Sequence, residues 1–196
     1  MNTEIELIRC VSPFSHRPSP IHVLMKRARH HKGSIYCLAW SPRGDLIATG
    51  SNDKTVKLMS FNTGTASLEG SENDLTMHDG TVRDCCFVEE GAGGAPLLLS
   101  AGAGDCKVYV TDCSTVTPFQ AMTGHTGHIL SLYTWGGAMF VSGSQDKTVR
   151  FWDLRTRGCV NVVSTSAGSP VASCGVTHTL YCHSTLGGSL LPFIVE

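Results

Sequence analysis

The sequence predicts an all-β fold made of about three repeated units, each a small antiparallel sheet of up to four strands. A repeated motif is the first ground for this. His31-Lys32-Gly33-Ser34-Ile35 is echoed by His78-Asp79-Gly80-Thr81-Val82 and by His125-Thr126-Gly127-His128-Ile129, with successive histidines 47 residues apart. An interval of ~40–50 residues is the signature of repeated small sheets. Period-two alternation is the second. Ile35, Cys37 and Ala39 alternate with Tyr36, Leu38 and Trp40, and Val82, Asp84 and Cys86 alternate with Arg83, Cys85 and Phe87. Side chains of a strand alternate between its two faces, so this pattern reads as strand. Composition is the third. The chain of 196 residues holds 21 glycines and 8 prolines, too many breaks for a helix bundle or coiled coil. Its hydrophobic share of 41% is enough for a packed core and excludes wholesale disorder.

Each unit has a second block after its histidine. In the first unit it is Ala48-Thr49-Gly50-Ser51-Asn52-Asp53-Lys54-Thr55-Val56-Lys57-Leu58. In the third it is Val141-Ser142-Gly143-Ser144-Gln145-Asp146-Lys147-Thr148-Val149-Arg150-Phe151-Trp152-Asp153. The middle unit is looser, from Leu99-Ser100-Ala101-Gly102 to Asp105-Cys106-Lys107-Val108. Its histidine-to-aspartate spacing is 27, against 22 and 21, and the Gly-rich loop at 89–95 accounts for the excess. Ser41-Pro42-Arg43-Gly44-Asp45 and Ser51-Asn52-Asp53-Lys54 are turns: Pro sets φ, Gly permits positive φ, and Asn or Asp bonds its own backbone.

The combination His-x-x-x-(Ile/Val), then (Ser/Thr)-Gly-Ser-x-Asp-Lys-Thr-Val, then Phe-Trp-Asp resembles the WD-repeat family of β-propellers. The resemblance implies a buried hydrogen-bond chain of four residues in each blade. In the third unit these are His125, Ser142, Asp146 and Trp152. The first unit has His31, Thr49 and Asp53, with Met59 at the Trp position; the second has His78, Ser100 and Asp105, with Thr111 there. Such a chain gives every buried polar group a partner, so the two units without Trp are expected to be held more weakly. Runs such as Lys26 to Cys37 and Gly124 to Leu130 look most like neuronal, microtubule-associated members of the family. That implies a non-catalytic scaffold with protein partners, cytoplasmic and cytoskeletal, and no cofactor.

Closed propellers need ~4–8 blades, and the motif recurs three times. The expected organisation is an unstructured arm at 1–25, repeats at about 30–62, 77–113 and 124–163 within 26–163, and an aborted fourth blade with a divergent tail at 164–196. No acid stands between Asp153 and Glu196, so a fourth turn Asp is absent. The whole is expected to be a partial propeller that cannot close: a fragment, a splice form or a gene-model error. An open apolar face made by Ile129, Leu132, Val141 and Val149 follows from that expectation, and with it association of the isolated chain.

Charge is uneven. Residues 1–32 are net +4 and residues 33–153 net −6. Lys26, Arg27, Arg29 and Lys32 form a basic arm, read either as a solvated lead-in to a strand or as a contact for an acidic surface. No aromatic interleaves these bases, so nucleic acid is not indicated. No apolar run reaches the ~18 residues of a membrane span, and Glu4 and Glu6 stand where a signal peptide carries bases. The nine cysteines are odd in number and contain no Cys-x-x-Cys, which reads as reduced thiols. Cys174, His178, Cys182 and His183 are the one Cys/His cluster, and they carry the alternative of a zinc-binding module, although their spacing is not that of a zinc knuckle. Gly-x-Ser-x-Gly and Gly-Lys-Thr are absent, so no small-molecule substrate, and no enzyme, is indicated.

Overall fold

A computed structural model describes residues 3–9, 22–88, 94–134, 136–165, 168–176, 180–186 and 189–195, with backbone alone for 3–9, 22–29, 71, 176 and the last two strands. Strands β1 (Thr3–Arg9) and β2 (His22–His31) pair antiparallel. β3 (Ile35–Trp40), β4 (Leu46–Ser51), β5 (Val56–Asn62) and β6 (Ser67–Leu75) form the first four-stranded sheet. β7 (Val82–Val88), β8 (Leu97–Gly102), β9 (Val108–Asp112) and β10 (Thr117–Met122) form the second. The third is β11 (Ile129–Thr134), β12 (Met139–Ser144), β13 (Thr148–Asp153) and β14 (Gly158–Ser164). A three-stranded sheet of β15 (Val171–Val176), β16 (Leu180–Leu186) and β17 (Ser189–Val195) follows. All are antiparallel meanders in chain order, and no helix occurs among the described residues. The described sheets do not close a ring: the β1–β2 pair joins neither the first nor the last. This is an unclosed propeller of three four-stranded blades.

Two segments differ from expectation. Part of the arm at 1–25 is strand, with Leu7 opposite Met25 and Ile8 opposite Val23. Its acid–apolar alternation, Glu4-Ile5-Glu6-Leu7, is a strand signal that the nearby prolines masked; Pro13, Pro18 and Pro20 lie outside the described residues. The divergent tail also forms a sheet, with Cys174 opposite Cys182 and Tyr181 opposite Ile194. A meander needs alternation and turns; it does not need the turn Asp that this segment lacks.

The core sits between successive sheets. Ala48, Val56 and Leu58 of the first pack on Val82, Cys85, Phe87 and Leu98 of the second. Leu97, Leu99 and Val110 of the second pack on Ile129, Leu132, Phe140 and Trp152 of the third. Val141 and Val149 of the third pack on Val171 and Cys174. The apolar face expected to be open is therefore covered. Ile129 and Leu132 lie against the second sheet, and Val141 and Val149, both fully buried, against the fourth.

Glycine makes that last contact possible. A Cβ at Gly143 would lie 2.6 Å from Val171 Cγ1 and 2.8 Å from Ser131 Oγ. Gly143→Ala should push the fourth sheet off the third and cost about 1–3 kcal/mol in chemical denaturation. An unchanged midpoint would mean that the two sheets are not packed this way.

Candidate functional site

In the third sheet the turn between β12 and β13 comes first. Asp146 Oδ1 accepts from Thr148 N (2.9 Å) and Thr148 Oγ1 (2.6 Å), which fixes the carboxylate. Lys147 takes the positive φ (71°) that this turn demands. Asp146 Oδ2 then accepts from Thr126 N (3.0 Å) and faces His125 Nδ1 at 2.7 Å. His125 Nε2 meets Ser142 Oγ at 2.6 Å, and the indole Nε1–H of Trp152 donates to the same oxygen at 2.8 Å. The four residues singled out in this unit thus form one chain. Burial raises the Asp146 carboxyl, but bonds from Thr148, Thr126 and His125 outweigh it and bring the pKa to about 2. Burial lowers His125, with Asp146 opposing.

The first sheet repeats the turn: Asp53 Oδ1 accepts from Thr55 N (3.0 Å) and Thr55 Oγ1 (2.7 Å). His31 Nδ1 lies 2.9 Å from Asp53 Oδ2, and His31 Nε2 lies 3.0 Å from Thr49 Oγ1. Burial raises Asp53, but its bonds to Thr55, Lys32 and His31 hold it well below the usual range. Met59 at the Trp position is buried against Ile47 and offers no donor. A second imidazole stands there instead, from a residue outside the repeat register: His30 Nε2 lies 2.7 Å from Thr49 Oγ1. Its Nδ1 faces Glu72 Oε1 at 3.2 Å, and Lys57 Nζ donates to Glu72 (3.0 Å) and Asp74 (2.7 Å). A cavity of about 220 Å³ opens beside these groups, lined by His30, His31, Lys32 and Lys57 among others. The doubled histidine was the available sequence signal; only His31 falls in the repeat register.

The second sheet keeps one link. His78 Nε2 meets Ser100 Oγ at 2.9 Å, while His78 Nδ1 and Thr111 Oγ1 are buried with no partner among the described residues. Asp105 does not reach His78. Its carboxylate accepts from the Tyr109 hydroxyl, and the Tyr109 ring stands edge-on to His78 at 4.8 Å. Tyr109 occupies the place of Lys57 and Arg150, and its hydroxyl takes the oxygen that the histidine takes elsewhere. Burial brings His78 down to about 4.

The inner strands are also tied to one another. Asp84 Oδ2 accepts from Leu132 N across the second and third sheets (2.6 Å), and Oδ1 accepts from Cys85 N (2.9 Å). Burial raises Asp84 to about 6 despite these bonds. The register of β3, β7 and β11 slips between Ile35/Cys37, Val82/Asp84 and Ile129/Ser131. Each slip sets one residue outside the ladder, at 36, 83 and 130. Tyr36 is 48% exposed, and the Arg83 guanidinium lies 4.7 Å above its ring.

Of the basic arm, Lys26, Arg27 and Arg29 lie on β2 with side chains outside the described residues, and Lys32 is exposed. Of the Cys/His cluster, Cys174 is buried, while His178 and the side chains of Cys182 and His183 are outside them. Among the described residues no three His, Cys, Asp or Glu side chains are placed to hold a metal.

Comparison with known proteins follows the same unevenness. The WD40 family model (WD domain, G-beta repeat) matches residues 19–59 and 116–153, the first and third units. It leaves out the second, whose chain is incomplete. The protein is similar to Protein tipD of Dictyostelium discoideum, at 25% identity over 70% of this chain and 21% of that one. It is similar to a guanine nucleotide-binding protein subunit beta of Oryza sativa subsp. japonica, at 34% over 62% of this chain and 33% of that one. It is also similar to the angio-associated migratory cell protein of Homo sapiens, at 32% over 70% and 33%. The chain thus spans a fifth to a third of the length of these relatives.

Two outcomes test the geometry. Asp146→Ala should cost about 1–3 kcal/mol by leaving His125 without its acceptor, and Asp105→Ala clearly less; the reverse order in urea melts would refute the ranking of the sheets. Asp84 has a folded pKa above the usual 3.8, so its contribution to stability is largest below that value and is lost as pH rises to about 6. Asp84→Asn should remove this component, at most about 3 kcal/mol. Parallel curves of thermal midpoint against pH for the two chains would exclude it.

Proposed function

Proceeding from WD40 repeats in this chain, we propose that it is a non-catalytic scaffold for proteins. In this reading it resembles nemitin, a microtubule-associated WD-repeat protein of neurons, and serves the cytoplasmic microtubule cytoskeleton in neuronal development. The observation that carries the scaffold reading is the row of slip residues Tyr36, Arg83 and Leu130. The same repeat position, 47 residues apart, carries an aromatic ring, a guanidinium and an aliphatic chain on consecutive sheets, and the guanidinium of Arg83 stacks over the ring of Tyr36. Tyr and Arg on a rigid base are the residue types that dominate binding energy at protein interfaces. The Ser-His-Asp set argues against hydrolysis, because Ser142 is fully buried with both neighbours already bonded to its hydroxyl.

Two features support the microtubule reading. The runs from Lys26 to Cys37 and Gly124 to Leu130 are similar to nemitin, and the net +4 of residues 1–32 suits an acidic polymer surface. Cosedimentation with polymerised tubulin tests it. Bound protein should fall with added salt, since the Debye length shrinks to ~8 Å at 0.15 M. It should fall again when Lys26, Arg27 and Arg29 become Ala, and with Tyr36→Ala plus Arg83→Ala. Protein that stays in the supernatant at low salt would remove microtubules from the reading. Binding that ignored Tyr36 and Arg83 would remove the slip row.

A further inference from the structure

Lys57, Tyr109 and Arg150 hold one repeat position on the third strand of successive sheets, opposite the buried hydroxyl residues Thr49, Ser100 and Ser142. In the first two sheets the polar head at this position is matched from within. Lys57 Nζ donates to Glu72 (3.0 Å) and Asp74 (2.7 Å), and the Tyr109 hydroxyl donates to Asp105. Arg150 has no such acceptor. Among the described residues its Nε is buried with no partner, and Nη1 and Nη2, which are not enclosed, bond nothing either. Both acids of the third sheet are committed, Asp146 to Thr148, Thr126 and His125, and Asp153 to Arg155. A guanidinium held in place without an acceptor is an incomplete pair.

The neighbouring strand explains why no acid arrives from within. Asp74 of β6 lies opposite Lys57, whereas Val162 of β14 lies opposite Arg150. Each of these strands is an edge of its sheet. β6 carries Glu69, Glu72 and Asp74, and β10 carries Pro118, features that keep an edge from pairing. β14 has neither a charge nor a proline. It shows Val160, 48% exposed, and Val162, 44% exposed. Asn161 Oδ1 accepts from Val162 N (2.8 Å), so the strand offers its side chains more than its backbone. Exposed Arg157 stands in the turn before it, and no acid lies between Asp153 and Glu196. Gly124 leaves room for the guanidinium: a Cβ there would lie 2.6 Å from Arg150 Nη1.

We propose that Arg150, Val160 and Val162 form a docking site for an extended acidic and apolar segment of a partner protein. A carboxylate of that segment takes the place at Arg150 that Asp74 takes at Lys57, in the two-pronged geometry that suits a guanidinium. Apolar side chains on either side of the carboxylate cover the two valines. The site lies on the edge strand of the third sheet, apart from the row of Tyr36, Arg83 and Leu130 on the first strands, and does not depend on the microtubule reading.

Two capped peptides, Leu-Glu-Leu-Glu-Leu and Leu-Gln-Leu-Gln-Leu, test it on the full chain by NMR. The acidic peptide should shift the Arg150 Nε–H resonance and the amides of 158–164 saturably, and the neutral one should not. Arg150→Gln should weaken the acidic peptide about tenfold, the effect of losing one charge-assisted pair. Val162→Asp places an acid where the first sheet has Asp74. It should shift the Arg150 Nε–H without peptide and abolish binding. Equal binding of the two peptides, undiminished binding in Val162→Asp, or shifts confined to Lys26, Arg27 and Arg29 would overturn the site. Inorganic phosphate that shifted Arg150 as strongly as the peptide at equal concentration would overturn the carboxylate assignment. If Arg150→Gln does not fold, Val162→Asp, at an exposed position, decides alone.

Discussion

Each four-stranded sheet is organised around one buried hydroxyl on its second strand: Thr49, Ser100 or Ser142, all without solvent exposure. A hydroxyl has one proton to give and lone pairs to fill, and in an apolar core both needs must be met by protein. The histidine comes from the segment that leads into the sheet, the end of β2 in the first case, and the aspartate from the turn between the second and third strands. Tryptophan, where present, comes from the third strand. Satisfying one oxygen therefore pins the entry, the turn and the register of three strands at once. The third sheet does this with four residues. In the first, two imidazole nitrogens, from His31 and His30, stand at the oxygen. The second leaves His78 Nδ1 and Thr111 Oγ1 unsatisfied among the described residues.

The second sheet survives that deficit because of its position. It lies between the two largest apolar cores, with Leu98 buried on one side and Leu97 and Leu99 on the other. Burial of that area stabilises by kilocalories per side chain, while one hydrogen bond is worth about 1 kcal/mol net. Packing thus outweighs the broken chain, and the sheet keeps its order with a tyrosine wedged where a histidine–aspartate contact would otherwise form. In the first sheet the polar network is more elaborate, running from Asp53 through two histidines to Glu72, Lys57 and Asp74.

What the sequence reveals follows the same division. Repeats, strands and turns were legible because they rest on local signals: a 47-residue interval, period-two alternation and an Asp-Lys-Thr turn. The third hydrogen-bond chain was legible because every member stands in register. The strands at both ends were not, since β1 is short and followed by prolines, and the fourth sheet lacks the motif that marks the others. The partner swaps were hidden for another reason. That Asp105 goes to Tyr109 rather than His78 depends on which of two donors reaches the carboxylate first in space. That a second imidazole reaches Thr49 depends on β2 ending with the His30 ring turned toward β4. Neither is a property of spacing.

The ties between sheets carry the argument one step further. Cys37, Asp84 and Ser131 hold the same repeat position, and the first two face the inner strand of the next sheet: Cys37 packs against the core that holds Cys85, whose thiol donates to Ala48 O at 3.9 Å, and Asp84 accepts from Leu132 N. One register position thus does different chemistry in successive repeats: soft and neutral between the first and second sheets, charged and buried between the second and third. A thiol pair adds little beyond packing, and burial with Cys37 beside it pushes the Cys85 thiol far up, so it stays protonated. The carboxylate instead makes two directional backbone bonds, which offset only part of its desolvation and leave its pKa at about 6. The second and third sheets are therefore held in a fixed relative position by Asp84. The first is held to the second by apolar contact and by the neutral thiol of Cys85 on Ala48 O, a tie that carries no charge and so does not change with pH in the range where Asp84 titrates.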